Sequence, residues 1–243
     1  MNMKKYIPYA ISVSAGLLFT FAAVTQLTYG HLHEDAYILF QYSHNVASGH
    51  GIVFDNLSGR AEGATDFLWM LLLALLSRMG LSLGTAAAVM NGIGLSVICY
   101  VALKISRRID LFLLPVIGLL VISGGFSASL GGFSTLAFGA TFAVLLLVAI
   151  ERHYSAMAIS ALLLSLFRPD GVLLAFGSVA AAFATAKPEE RKRILVLLSA
   201  AAVVGLSYFV WRLEYFGMWL PLPLLIKSQT TSFLEGWEGN YTA

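Results

Sequence analysis

Long apolar runs separated by short charged clusters set the pattern of this chain. The first run, 6–27, follows Lys4 and Lys5 and is long enough to cross about 30 Å of hydrocarbon as a helix. It exceeds the usual core of a signal peptide and lacks a clear small-residue cleavage site, so a retained anchor is the preferred reading. Later runs predict helices near 84–106, 111–127, 131–150, 156–168, 171–186 and 194–213. Between the first run and these lies a polar island from Glu34 to Trp69. Within it Ala36, Leu39, Phe40 and Ala47 share one helical face and Gln41, His44 and Ser48 another, and Gly49 ends the pattern. One further apolar run, 67–79, has only 13 residues and suits an interfacial or half-inserted helix better than a span.

Composition turns this pattern into a class. Apolar residues make up 58% of the 243 and charged residues 12%, against about 25% charged in a soluble domain. The expectation is an all-α, polytopic transmembrane helical bundle, one membrane domain over residues 1–243, with no internal repeat and no linker to a second domain. A net charge of +2 gives no argument for nucleic acid. A single cysteine, Cys99, excludes an intrachain disulfide.

The basic residues supply the topology. Lys104 with Arg107 and Arg108, Arg152 with His153, and Lys187 with Arg191, Lys192 and Arg193 all read as cytoplasmic, as does the N-terminus. Parity then requires about seven crossings, with 67–79 lying against the outer face. Residues 30–80 form the first extracytoplasmic loop with its juxtamembrane helices. The Ser123–Ser134 turn, the break at Phe167–Gly171 and the segment after 213 fall on the same outer side. The run 156–168 is short for a span, so it extends toward Tyr154 or is shielded by neighbours.

Candidate chemistry collects on that outer side. Glu34 and Asp35 can be read as a general base at the membrane surface, or as acids that favour the dipole of the helix they begin; both readings can hold together. His31, His33, His44 and His50 lack the spacing of a zinc motif. Arg168 and Asp170, joined by Pro169, either close a hairpin by pairing or present a guanidinium and a helix N-terminus to phosphate oxygens. Lys227 follows Pro221 and Pro223, just beyond the interfacial aromatics Trp211, Tyr215, Phe216 and Trp219, where a lysine ordinarily snorkels.

Those residues carry a resemblance. Glu34–Trp69 resembles the first extracytoplasmic loop of bacterial GT-C glycosyltransferases, and in particular the branch containing mycobacterial arabinofuranosyltransferases. The ordered likeness comprises Asp35-Ala36-Tyr37-Ile38, Phe40, Tyr42, Asn45, Gly49-His50-Gly51-Ile52-Val53-Phe54, Glu62-Gly63, Thr65 and Phe67-Leu68-Trp69. Arg168-Pro169-Asp170-Gly171 resembles a second family element, and Tyr215-Phe216-Gly217 with Leu220-Pro221 and Lys227 a third. Glu34 stands where the family usually has Asp, and Gln41 where it usually has Arg.

The resemblance implies a GT-C type bundle in the bacterial cytoplasmic membrane. It also implies transfer of a sugar from a polyprenyl-phosphate donor to a hydroxyl of a cell-envelope glycan, lipid or protein acceptor. Glu34 or Asp35 would act as base with inversion at the anomeric carbon, Arg168 and Lys227 would hold the phosphate, and Tyr37, Glu62 and Asp170 would complete the substrate site. No cofactor is required; a divalent Mg or Mn serves some relatives. Relatives typically continue through more spans, so the likeness also implies further spans, from the same reading frame or a separate chain. The rival readings are a non-catalytic membrane partner, a transporter-like subunit, and an inactive truncated remnant.

Overall fold

A computed structural model of the chain describes residues 6–28, 33–55, 59–105, 124–219, 221 and 223, and among these residues it is all-helical, with no strand. The elements are α1 (Ile7–Thr28), α2 (Glu34–Ala47), α3 (Phe67–Arg78), α4 (Leu83–Ile105), α5 (Gly124–Leu130), α6 (Thr135–Ile150), α7 (Tyr154–Phe167), α8 (Gly171–Thr185) and α9 (Pro188–Phe216). Three of them, α1, α4 and α9, are long and apolar enough to cross a membrane. The other apolar helices, α3, α6, α7 and α8, are shorter.

The helices follow one another sideways. α1 packs on α4, α4 on α6, α6 on α7, and α7 carries both α8 and α9. Close approach of α1 and α4 depends on small residues: a Cβ at Gly16 would run into the Gly92 carbonyl and the Ser96 hydroxyl, and one at Gly92 into Thr20. Phe19, Ala23, Ala88, Leu95 and Cys99 fill the rest of that seam. Leu145, Met157, Leu164, Val179 and Ile194 form a second core where α6, α7, α8 and α9 meet.

Ion pairs define one end of the bundle. Lys104, at the close of α4, pairs with Glu151 after α6 at 2.7 Å, and Arg152 pairs with Glu190 at the start of α9 at 2.6 Å. The basic clusters that the sequence assigns to one side therefore share one end wherever they are described. The opposite end holds the α2–α3 island. His33 N–H donates to the Gly131 carbonyl at 3.2 Å, and Ser134 Oγ donates to Asp66 Oδ2 at 2.5 Å. Gly84, at the start of α4, packs against Leu27 at the close of α1. α3 thus begins against the α5–α6 turn and ends four residues before α4 sets out from the same end. It does not run the length of the bundle.

Several boundaries differ from the sequence expectation. Part of the expected turn Ser123–Ser134 is helical, as α5, because a helical turn lets Gly131 N–H and Phe133 N–H bond back to Ser127 and Ala128. Most of the expected helix 111–127 lies outside the described residues. α9 starts at Pro188 rather than 194 because proline suits a helix start and the Glu190 carboxylate accepts the Lys187 N–H at 2.8 Å. α7 does begin at Tyr154, and its Met157 and Leu164 are fully buried, so it is both extended and shielded.

Candidate functional site at the island end of the bundle

The island loop between α2 and α3 is tied down at both flanks by polar groups. Asn45 Nδ2 donates to the carbonyls of Val53 and Phe54, both at 2.9 Å, and Gln41 Nε2 donates to Phe54 O at 3.2 Å. Gln41 thus braces the loop. Tyr42 hydroxyl donates to Ala61 O at 2.7 Å and accepts from Gly63 N–H at 3.0 Å. Burial pushes its phenol above the ordinary value. A side chain at Gly63 would press on the Tyr42 ring, and Gly49 and Gly51 adopt positive φ of 83° and 87°, so glycine is required where the chain turns.

The same loop reaches the far end of α9. Tyr215 hydroxyl accepts the Ile52 N–H at 3.1 Å, and the Arg60 guanidinium lies 4.4 Å from the Tyr215 ring centre. Phe67 packs on Tyr208 and Trp211 at 4.6 and 5.7 Å between centroids. Glu62 and Arg212, each about 5% exposed, make a two-pronged ion pair: Nε to Oε1 at 2.8 Å and Nη2 to Oε2. Arg212 Nη1 also donates to Trp219 O at 3.0 Å. That contact folds the chain back after Gly217, whose φ of +70° ends the helix.

Beside this pair lies an apolar cavity of about 930 Å³ bounded by α7, α8 and α9, within the usual size range of small-molecule sites, about 300–1,000 Å³. Leu162, Phe176, Val179, Leu198 and Phe209 represent its walls. Its polar end is formed by Glu62, Thr65, Arg168, Tyr208 and Arg212. Arg168 Nε donates to Asp170 Oδ1 at 3.0 Å, and the guanidinium lies over the Phe138 ring at 5.3 Å. Its terminal nitrogens meet no acceptor among the described residues. Arg168 is one-third exposed and Asp170 more than half, so this pair binds neither group tightly.

Asp66 sits just behind that end. It is 8% exposed, receives the Ser134 hydroxyl, and feels the charges of Arg168 and Asp170. Burial pushes its carboxyl above the ordinary range, against the Ser134 hydrogen bond and the Arg168 charge, which pull it down.

The residues singled out from sequence are placed unequally. Glu62 and Arg168 meet at the cavity, with Asp170 on Arg168. Glu34, Asp35 and Tyr37 lie exposed in the first turn of α2 and do not line it. They share its end of the bundle, since α2 starts on the same α5–α6 turn that anchors Asp66. Lys227 lies outside the described residues. Both carboxylate oxygens of Glu62 are engaged by Arg212, a residue that sequence reasoning passed over. Its signal was legible, because it is the only charged residue in the run 194–213. Asp66 precedes an apolar run as a helix cap would, but its contact with Ser134 has no trace in sequence. Among the described residues no group of three His, Cys, Asp or Glu side chains converges as metal ligands would.

Comparison with protein-family models, curated proteins and solved structures finds no significant match. What stands on the geometry alone is the broad class: a helical protein with apolar helices of membrane-spanning length and a cavity that is polar at one end.

Proposed function

We propose that this chain is a membrane-embedded, inverting glycosyltransferase of the GT-C type that takes its sugar from a polyprenyl-phosphate donor. The observation that carries the reading is the cavity: apolar walls from α7, α8 and α9 lead to Arg168 at the end of the bundle where Glu34 and Asp35 also lie. An isoprenoid tail suits the walls, and a phosphate suits a guanidinium whose terminal donors are unspent among the described residues. Under this reading the chain makes about seven crossings of the bacterial cytoplasmic membrane and the island end faces outward, as the basic clusters require.

The chemistry asks little of the protein. The acceptor hydroxyl oxygen attacks the anomeric carbon, the bond from that carbon to the phosphate oxygen breaks, and the phosphate leaves with the electron pair. Glu34 or Asp35 takes the hydroxyl proton. Arg168, steadied by Asp170 and the Phe138 ring, meets the charge that grows on the phosphate, and Lys227 adds to it. Tyr37, in the same first turn as the two acids, binds the acceptor. No step is routed through a metal.

The test is transfer from a radiolabelled polyprenyl-phosphate sugar in membranes carrying the full chain. Glu34→Gln or Asp35→Asn should lower the rate by roughly 10²–10⁴-fold, the range for loss of a general base. Equal rates in parent and both variants would remove the base assignment. No transfer by any of them would favour the non-catalytic partner or the inactive remnant.

A further inference from the structure

α8 and α9 flank the cavity along much of their length: Phe176, Val179 and Phe183 line it from α8, and Leu195, Leu198 and Phe209 from α9. α9 buries little of itself: only Ile194, Arg212 and Phe216 are buried along its 29 residues. Among the helices α9 packs on α7, and its last turns, where Arg212 and Phe216 are buried, have a second support. That support comes from the island loop, through Ile52 and Arg60 on Tyr215, Phe67 on Tyr208 and Trp211, and Glu62 on Arg212. Of these contacts the ion pair is the one whose loss leaves a buried charge unmatched.

Arg212 is poorly placed to serve as a ligand itself. Nε and Nη2 are spent on Glu62, and Nη1 donates to Trp219 O at 3.0 Å and Met218 O at 3.4 Å. Arg168, at the same cavity end, has its terminal nitrogens free among the described residues. One arginine is built in, and the other is available.

We propose that Glu62 and Arg212 are positioning residues: their ion pair clamps the island loop onto the free end of α9 and thereby fixes the gap between α8 and α9 at the mouth of the cavity. The clamp acts on any occupant through the width of that mouth. The claim is separate from sugar transfer and stands or falls without knowledge of the ligand.

Pulsed spin-label distance measurements on the purified full chain in lipid nanodiscs test it directly. In a Cys99→Ala background, Leu173→Cys and Val210→Cys place labels on exposed positions of α8 and α9 outside the cavity wall. A reference pair, Leu17→Cys with Ile93→Cys, reports on α1 and α4. Glu62→Gln, and each single reversal Glu62→Arg or Arg212→Glu, should shift the α8–α9 distance to a longer mean with a broader spread. The double reversal should narrow it again, and Arg212→Lys should fall between parent and Glu62→Gln. The reference distance should not move. The proposal is overturned if the α8–α9 distribution is the same in all variants. It is equally overturned if the reference pair broadens in step, which would mark a general loss of fold, or if the double reversal fails to recover.

Discussion

Asp66 is a buried carboxyl whose protonation the fold biases. Its carboxyl is held above the ordinary value chiefly by burial. A carboxyl that binds its proton more tightly when folded adds stability that is complete below the unfolded pKa, about 4, and is lost as pH rises through the folded pKa. Asp66→Asn keeps the shape of the neutral group and removes that slope. The variant should therefore unfold no earlier than the parent at neutral pH, and the parent should gain on it as pH falls toward about 4. Thermal unfolding midpoints of the two proteins in detergent across that range provide the check; parallel curves would contradict it. Arg212 is the opposite case, a buried charge with a full set of partners. Arg212→Leu should cost roughly 3–5 kcal/mol, because it strands Glu62 rather than because the intact pair is strongly stabilising. Glu62→Gln combined with Arg212→Leu should recover part of that loss in the same unfolding measurement.

At the scale of elements, the α1–α4 contact is the tightest test of packing. Gly92 lies against Thr20 and the Gly16 carbonyl, so even a methyl group there must push the helices apart. Gly92→Ala should cost about 1–3 kcal/mol, the usual range for overpacking, whereas Gly177→Ala, with open space around it on α8, should be neutral or stabilising. Chemical unfolding of both variants decides this.

The helices themselves were largely legible, because a period of apolar residues at membrane length has few alternative meanings. The amphipathic face of α2 was read with its buried Ala36, Leu39 and Phe40 and its exposed Gln41 and His44. Parity of the basic clusters also kept α3 from being counted as a span, and α3 is one of the shorter apolar helices, with 12 residues. What sequence missed was pairwise. A glycine- and serine-rich stretch reads as a turn, yet Gly124–Leu130 is helical. Arg212 stood out as the one charge in the run 194–213, but nothing there said what it pairs with. Its partner Glu62 lies 150 positions away, and no local pattern encodes that distance.

The whole molecule is polarised along the helix axes. One end carries Lys104, Glu151, Arg152 and Glu190 in ion pairs; the other carries the island, the cavity mouth, Arg168 and Arg212. The intermediate helices α6, α7 and α8 have 16, 14 and 15 residues. That is roughly 21–24 Å each at 1.5 Å per residue, shorter than a hydrocarbon core of about 30 Å. If they cross the membrane as proposed, their connecting turns, Glu151–His153 and Arg168–Asp170, require a locally thinned bilayer. This arrangement makes a directional prediction. Single cysteines at His50 and Asp170, both exposed at the island end, should react with a membrane-impermeant maleimide applied to intact cells, in a Cys99→Ala background. A cysteine at Lys192, exposed on α9 beside the ion-paired end, should react only after permeabilisation. Labelling of His50→Cys and Asp170→Cys from opposite sides would break the two-ended arrangement itself. Labelling of both only after permeabilisation would keep the arrangement but turn it over, moving the cavity mouth and its arginines to the cytoplasmic face and away from any outward-facing acceptor.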